Sequence, residues 1–383
     1  MPRLLIVTTV DSTLQRFLLP YAGHFRNQGW TVDALASGAA SSRACREGFD
    51  RCHEAAWSRN PFGLQGLLRM PGNLRRLVQR EDYDLVHVHT PVAAFLTRYT
   101  LRRLRLQGRP KVVYTAHGFH FHDGRPAWAN QAFAALERTA GPWTDRLVVI
   151  NDADHQEALR RRIIDPARIR PMPGIGLDLA QYDPARVPQA AVADLRASLG
   201  IAPGQPMFLM AAAFDPGKRH RDLLAAFAGL ENLEAHLVFA GDGPLLAPLQ
   251  AWARDRGLAG RVHFLGYRDD VPVLMRAALA TVLPSEREGL PRCVMESMAM
   301  GVPVIGADAR GTRDLLAECG GVLVPVGDPG ALQNALLEMI RNPERARSLG
   351  QQARTRVGRF HIAHLLRMHE ELYAEVLAEA CAP

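Results

Sequence analysis

The chain has 383 residues, 48% of them hydrophobic and 22% charged, which fits two globular domains and excludes disordered, collagen-like and heptad-repeat classes. Its formal net charge is +7, and residues 1–180 hold 25 of the 46 Lys and Arg against 16 of the 39 Asp and Glu, so the positive excess lies wholly in the first half. No apolar run approaches the ~18–20 residues of a membrane span, and the opening Met1-Pro-Arg-Leu-Leu-Ile-Val reads as a first strand, without the small-residue cleavage site of a signal peptide.

In chain order, the first half carries Val/Ile/Leu-rich runs at 4–8, 31–35, 85–89, 111–115 and 146–150. The second carries them at 207–212, 236–240, 262–265, 280–283, 302–305 and 321–324. Helical stretches separate most of them. Apolar runs without alternation, each followed by a helix, predict parallel strands buried on both faces, and two such series predict two doubly wound α/β domains. A proline-rich stretch from Met172 marks the boundary and then carries a helix over 191–199. The last 40 or so residues are helical, with an apolar stripe through Phe360, Leu365, Leu366, Met368, Leu372, Tyr373 and Val376. No strand follows, so this helix is free to pack back across the first domain. The predicted division is 1–175 with the terminal helix 361–383, and 176–360. The five cysteines (Cys45, Cys52, Cys293, Cys319, Cys381) are scattered without a Cys-x-x-Cys, which fits a reducing cytosol better than a disulfide scaffold or zinc ribbon.

Four segments carry chemistry. In the first, Pro284-Ser-Glu-Arg-Glu288-Gly289-Leu290-Pro291-Arg-Cys-Val-Met-Glu296, a strand runs into a polar loop. A helix then opens at Pro291 and closes at Gly301. Amides of Gly289 and Leu290 at its positive end suit a diphosphate, and of Glu288 and Glu296 one suits two vicinal ribose hydroxyls and the other a sugar; without that context the pair would read as surface carboxylates. In the second, Phe214-Asp-Pro-Gly-Lys218, a strand ends in a Pro-Gly turn before a helix. Only Lys111 and Lys218 are lysines in this arginine-rich chain, and a compact ammonium at a strand's carboxyl end suits a phosphate oxygen. In the third, Ala240-Gly241-Asp-Gly243-Pro244, glycines allow close backbone approach to a ligand. No Gly-x-Gly-x-x-Gly occurs, which argues against a nicotinamide dehydrogenase. The fourth pairs Val86-His-Val-His89-Thr-Pro with Tyr114-Thr-Ala-His117-Gly-Phe-His120-Phe-His122. No spacing here matches a zinc site. His117, at a strand end facing the expected cleft, is the best single candidate, and His120 and His122 read as loop residues.

In this order and at these separations the four segments resemble the retaining GT-B glycosyltransferases of family 4, and most of all those of bacterial capsule and exopolysaccharide biosynthesis. Thr115-Ala-His117-Gly-Phe-His-Phe, His89-Thr-Pro-Val-Ala-Ala, Ile175-Gly-Leu-Asp178 and Glu288-Gly-Leu-Pro carry the likeness, which spans nearly the whole chain. The resemblance implies two Rossmann-like domains facing a cleft, with a nucleotide-sugar donor held mainly by the second. It implies Lys218 on the donor diphosphate and Glu296 on the ribose. Glu288, with the amides of Gly289 and Leu290 ahead of Pro291, falls on the transferred sugar and phosphate. His117 falls near the reacting sugar, and Gly266-Tyr267-Arg268 beside the base. Two departures stand out: Ala213 occupies the position where the family usually has an arginine five residues before the lysine, with Arg219 or Arg221 as candidate replacements, and the turn Thr9-Val-Asp-Ser-Thr13 lacks the glycines common after strand one.

The mechanism so implied is transfer with retention, the leaving diphosphate departing on the face the acceptor attacks and helping to deprotonate it. No separate strong base is evident. No Asp-x-Asp carries metal-binding logic, so neither metal nor cofactor is expected. UDP-hexose or UDP-N-acetylhexosamine is the donor implied by the resemblance alone. The basic half, through Arg69, Arg75, Arg76, Arg80, Arg98, Arg102, Arg103, Arg105 and Arg109, suits anionic lipid or an undecaprenyl-diphosphate-linked glycan, or is simply a solvated arginine-rich face; nucleic acid is not expected, because no aromatic platform accompanies the charge. The expected location is cytoplasmic, peripheral at the inner membrane face. The rival readings are a nucleotide-sugar epimerase or hydrolase of the same fold, and a catalytically silent donor-binding protein.

Overall fold

The computed structural model describes the chain except residues 56, 58–63, 123, 231–232, 318–319 and 380–383, and for 64–69 it describes the backbone alone. Cys319, Cys381, the Arg69 side chain and the end of the predicted terminal helix therefore lie outside the described residues. The chain forms two compact units, Met1–Ile175 with Ala363–Pro383, and Gly176–Ile362.

The first unit is built on seven strands: β1 (Arg3–Val10), β2 (Thr31–Ser37), β3 (Arg51–Glu54), β4 (Leu85–His89), β5 (Lys111–Ala116), β6 (Arg146–Val149) and β7 (Ile169–Pro171). All ladders are parallel and the order is β3-β2-β1-β4-β5-β6-β7. Leu4, Leu5, Ile6 and Val7 are at most 1% exposed. Helices cover both faces, and each such side chain contributes ~1.5–3 kcal/mol by burial. The edge strands β3 and β7 are absent from the sequence reading. Arg51-Cys-His-Glu is polar and partly exposed, and Ile-Arg-Pro is only three residues long, so neither carries an apolar run.

The second unit repeats the plan with β8 (Met207–Ala211), β9 (His236–Ala240), β10 (Val262–Phe264), β11 (Ala280–Leu283), β12 (Val304–Ala307) and β13 (Gly321–Val324). It is again wholly parallel, in the order β10-β9-β8-β11-β12-β13. In both sheets the strand order reverses beside the first strand, between β1 and β4 and between β8 and β11. In open parallel sheets ligands bind at the carboxyl ends of the strands flanking that reversal.

The terminal helix Ile362–Ala378 docks on the first unit. Arg146, 4% exposed, reaches Glu375 at 2.8 Å and also Glu379, and Arg170 pairs with Glu375. Tyr373 hydrogen-bonds His87 at 2.5 Å and packs on Phe25. Arg98, predicted to belong to a basic surface, is instead 1% exposed. It sits on the Tyr114 ring and pairs with Glu137 at 2.8 Å. Its place on the inner side of helix Pro91–Arg105 requires that internal partner. Arg105 and Arg109 are likewise paired, with Asp145 and Asp84, while Arg75, Arg76, Arg80 and Arg103 are exposed. Among the described residues no helix is long and apolar enough to cross a membrane.

Candidate functional site

In the second unit, four loops leave the carboxyl ends of β9, β8, β11 and β12 side by side. The loop after β8 turns through a short 3₁₀ segment, Pro216–Lys218, into helix His220–Ala228. Pro216 fixes the turn's entry, and Arg219 takes a left-handed φ of 56° to pass into the helix. Arg219 is held by Asp222 at 2.6 Å and Glu286 at 3.4 Å, and Arg221 is exposed. The His220 ring stacks on Phe214, 4.2 Å between centroids. Burial, then the Lys218 charge, pushes its pKa down to about 4, so it is neutral packing beneath the lysine turn.

The loop after β11 comes to meet this turn. The Glu286 amide donates to the Gly217 carbonyl at 3.0 Å. The Lys218 Nζ donates to Glu288 Oε1 at 2.5 Å, with the side chains 27% and 11% exposed. Burial works to lower the Lys218 pKa, but Glu288, Cys293 and Asp215 outweigh it and the net shift is upward. The lysine is therefore a fixed cation at ordinary pH. Burial drives the neighbouring Cys293 thiol up to about 12, which keeps it neutral.

Helix Arg292–Ala299 follows, with Pro291 at its N-cap. Glu296 is 8% exposed. Its Oε1 accepts from Tyr182 Oη at 2.7 Å and Arg292 Nε at 2.8 Å. The loop 284–290 is buttressed by the loop after β12. Gly311 has φ +75°, and a Cβ there would stand 2.1 Å from the Gly289 carbonyl oxygen. Gly241 and Gly243 have a packing role of the same kind. A Cβ on Gly241 would stand 2.0 Å from the Ala212 oxygen, and one on Gly243 2.8 Å from the Phe214 nitrogen. These glycines thus let the β9 loop lie against the segment leading to Lys218, Ala213 included. The Gly241 amide also donates to Gly266 at 2.7 Å, which brings the Gly266-Tyr267-Arg268 loop alongside. Arg268 is clamped by Asp270, and Tyr267 is 64% exposed.

The structure thus gathers Lys218, Gly241, Gly243, Glu288, Gly289, Leu290, Pro291 and Glu296 on one sheet edge. Tyr182, Arg292 and Gly311 belong with them and were missed by sequence reasoning. A tyrosine just past the Gly-Leu-Asp178 segment and a glycine opening a short helix carry no signal of their own.

In the first unit, His117 lies beyond β5 and its Nε2 is 3.0 Å from His89 Nδ1. The His89 ring lies against that of His87, tilted by 30°, with 4.1 Å between centroids. His87 bonds Thr115 as well as Tyr373, and His369 of the terminal helix joins the group. Thr90, between His89 and the helix, has φ 68° and is tied to the Thr9 hydroxyl at 2.8 Å across the strand reversal. The glycine-free turn after β1 is accommodated by a helical start at Asp11, with a π-helical turn over Leu14–Leu18. Asp154 accepts from the Phe119 amide and so steadies the His117-Gly-Phe loop. Among the described residues no group of three or more His, Cys, Asp or Glu is arranged to hold a metal ion.

Burial holds all four histidines neutral: His117 and His369 fall to about 4, and His87 and His89 lie well below 6.5. As pH falls from 6.5 toward 4 the unfolded chain takes up protons that the folded unit refuses. Stability is therefore full above about pH 6.5 and lost below it, by up to about 1.4 kcal/mol per pH unit for each histidine. Urea unfolding at pH 7.5 and 5.5 is expected to show that loss, and equal stabilities would contradict it.

Comparison with known proteins follows the two-unit division. Residues 192–356 match the model of glycosyl transferases group 1, and residues 14–175 that of Glycosyltransferase Family 4. The chain is 32% identical over 377 residues to the glycosyltransferase EpsD of Bacillus subtilis (strain 168), covering 97% of this chain and 96% of that protein. It is 31% identical to the UDP-Gal:alpha-D-GlcNAc-diphosphoundecaprenol alpha-1,3-galactosyltransferase of Escherichia coli, over 70% of this chain and 69% of that one. Among solved structures, HepE of Anabaena in complex with UDP superposes with a TM-score of 0.79 at 19% identity, over 98% of this chain and 100% of that one.

Proposed function

The chain belongs to the GT-B glycosyltransferases, family 4 in its first unit and group 1 in its second, and from that membership we propose that it moves a hexose or N-acetylhexosamine from a UDP-linked donor to a lipid-linked glycan, with retention of anomeric configuration, in surface polysaccharide biosynthesis. The observation that carries the reading is the pairing of Lys218 with Glu288 where the strand order reverses, 2.5 Å apart and largely buried. It supplies a cation for a diphosphate and a carboxylate for sugar hydroxyls within one side chain's reach.

Lys218 and the amides of Gly289 and Leu290 take the charge that develops on the departing diphosphate. Glu288 accepts from the transferred sugar, and the Glu296 carboxylate, aligned by Tyr182 and Arg292, accepts from the ribose. His117 is assigned a hydrogen bond to the sugar. The incoming hydroxyl loses its proton to the leaving diphosphate as the new glycosidic bond forms on the same face. No metal is assigned, so transfer is expected to persist in excess EDTA. The Escherichia coli relative's donor and acceptor support UDP and an undecaprenyl-diphosphate-linked acceptor. Exposed Arg75, Arg76, Arg80 and Arg103 suit a peripheral approach to anionic headgroups at the cytoplasmic membrane.

The test is incubation with a panel of UDP- and GDP-sugars and undecaprenyl-diphosphate-linked N-acetylglucosamine. The product's anomeric coupling is read by NMR. An α-linked product from an α-linked donor supports the reading, and a β-linked product overturns retention.

A further inference from the structure

Lys218 and Glu288 are each assigned to the donor, yet in the structure each is the other's partner. We propose that this ion pair makes the site discriminate between an intact nucleotide-sugar and the bare nucleoside diphosphate it leaves behind, with Glu288 as the specificity-determining residue.

A diphosphate that takes the Lys218 ammonium must displace or crowd the Glu288 carboxylate. That carboxylate is only 11% exposed and lies on a loop pinned to the lysine turn through the Glu286 amide and the Gly217 carbonyl. The backbone beneath it is fixed by Gly311. Glu288 is therefore held beside the lysine, largely out of water. With a sugar attached, ligand hydroxyls donate to the carboxylate and replace the lost ammonium. With no sugar, the carboxylate is left beside the phosphates, desolvated and without a donor, and like charges at close range repel. Free diphosphate thus binds against Glu288, whereas the sugar-bearing donor binds with it. After transfer the ion pair re-forms as the product leaves.

The inference rests on the donor reading above and predicts an effect opposite in sign to that of a simple sugar contact. Replacing Glu288→Gln removes the negative charge while keeping the shape. Calorimetric titration with UDP, GDP and inorganic pyrophosphate is expected to show at least one of them binding about tenfold tighter to this variant than to the wild type, while transfer from the UDP-sugar falls. Lys218→Met is expected to weaken all three probes, and thermal unfolding shows whether each variant is folded. If the wild type binds a probe, Lys218→Met loses it and Glu288→Gln binds it equally or more weakly, this inference is overturned and the donor reading stands. If neither the wild type nor Glu288→Gln binds any of the three, both are overturned.

Discussion

Lys218→Ala is expected to lower kcat/KM for donor transfer by about 10²–10³-fold, the loss typical of removing one preorganised group from a developing negative charge. The lysine is one of only two in the chain. It stands at the carboxyl end of β8, next to the reversal of strand order, and a strained Arg219 holds the turn that carries it. Its ammonium is raised in pKa and so is charged at ordinary pH. The same change strands Glu288, so a modest loss of stability accompanies it. Steady-state kinetics at a temperature where unfolding curves show the variant folded separate the two effects. A fall of less than about tenfold would remove Lys218 from the reacting diphosphate.

Gly311→Ala is expected to destabilise the second unit by about 3 kcal/mol or more and to abolish donor binding. The added Cβ would stand 2.1 Å from the Gly289 oxygen and 2.7 Å from its carbonyl carbon, with φ at +75°. Neither neighbour is a flexible side-chain end, so the loop carrying Glu288 must shift. Gly257 is the internal control: its φ is +66°, but nothing lies within 4 Å of its Cβ position. Gly257→Ala should therefore cost only the left-handed strain of about 1–2 kcal/mol. Urea unfolding of both variants isolates the clash, and equal losses would contradict the buttress.

The parallel sheets were legible because buried parallel strands need continuous apolar runs, and Leu4–Val7 and Met207–Met210 supply them. Polar Arg51–Glu54 and three-residue Ile169–Pro171 join as edges through pairing with β2 and β6, which no local pattern announces. Arg98 reads as surface charge in sequence, and only the packing of its helix reveals the Tyr114 ring and Glu137 that let it be buried. At the candidate site, residue type and punctuation singled out Lys218 and Glu288 separately. Their contact spans 70 positions and exists because β8 and β11 are neighbours. Tyr182, Gly241 and Gly311 owe their roles to what lies opposite them, a carboxylate or a backbone oxygen, and that information is three-dimensional.

The most direct measurement is release of nucleoside diphosphate from a panel of UDP- and GDP-sugars with a lipid-linked acceptor present, run side by side on the wild type and Lys218→Ala. The account predicts acceptor-dependent release from at least one donor by the wild type, with glycosylated lipid formed in equal amount and the variant at least tenfold slower. Release at equal rates by the two proteins, or release without any transfer to the lipid, would contradict it.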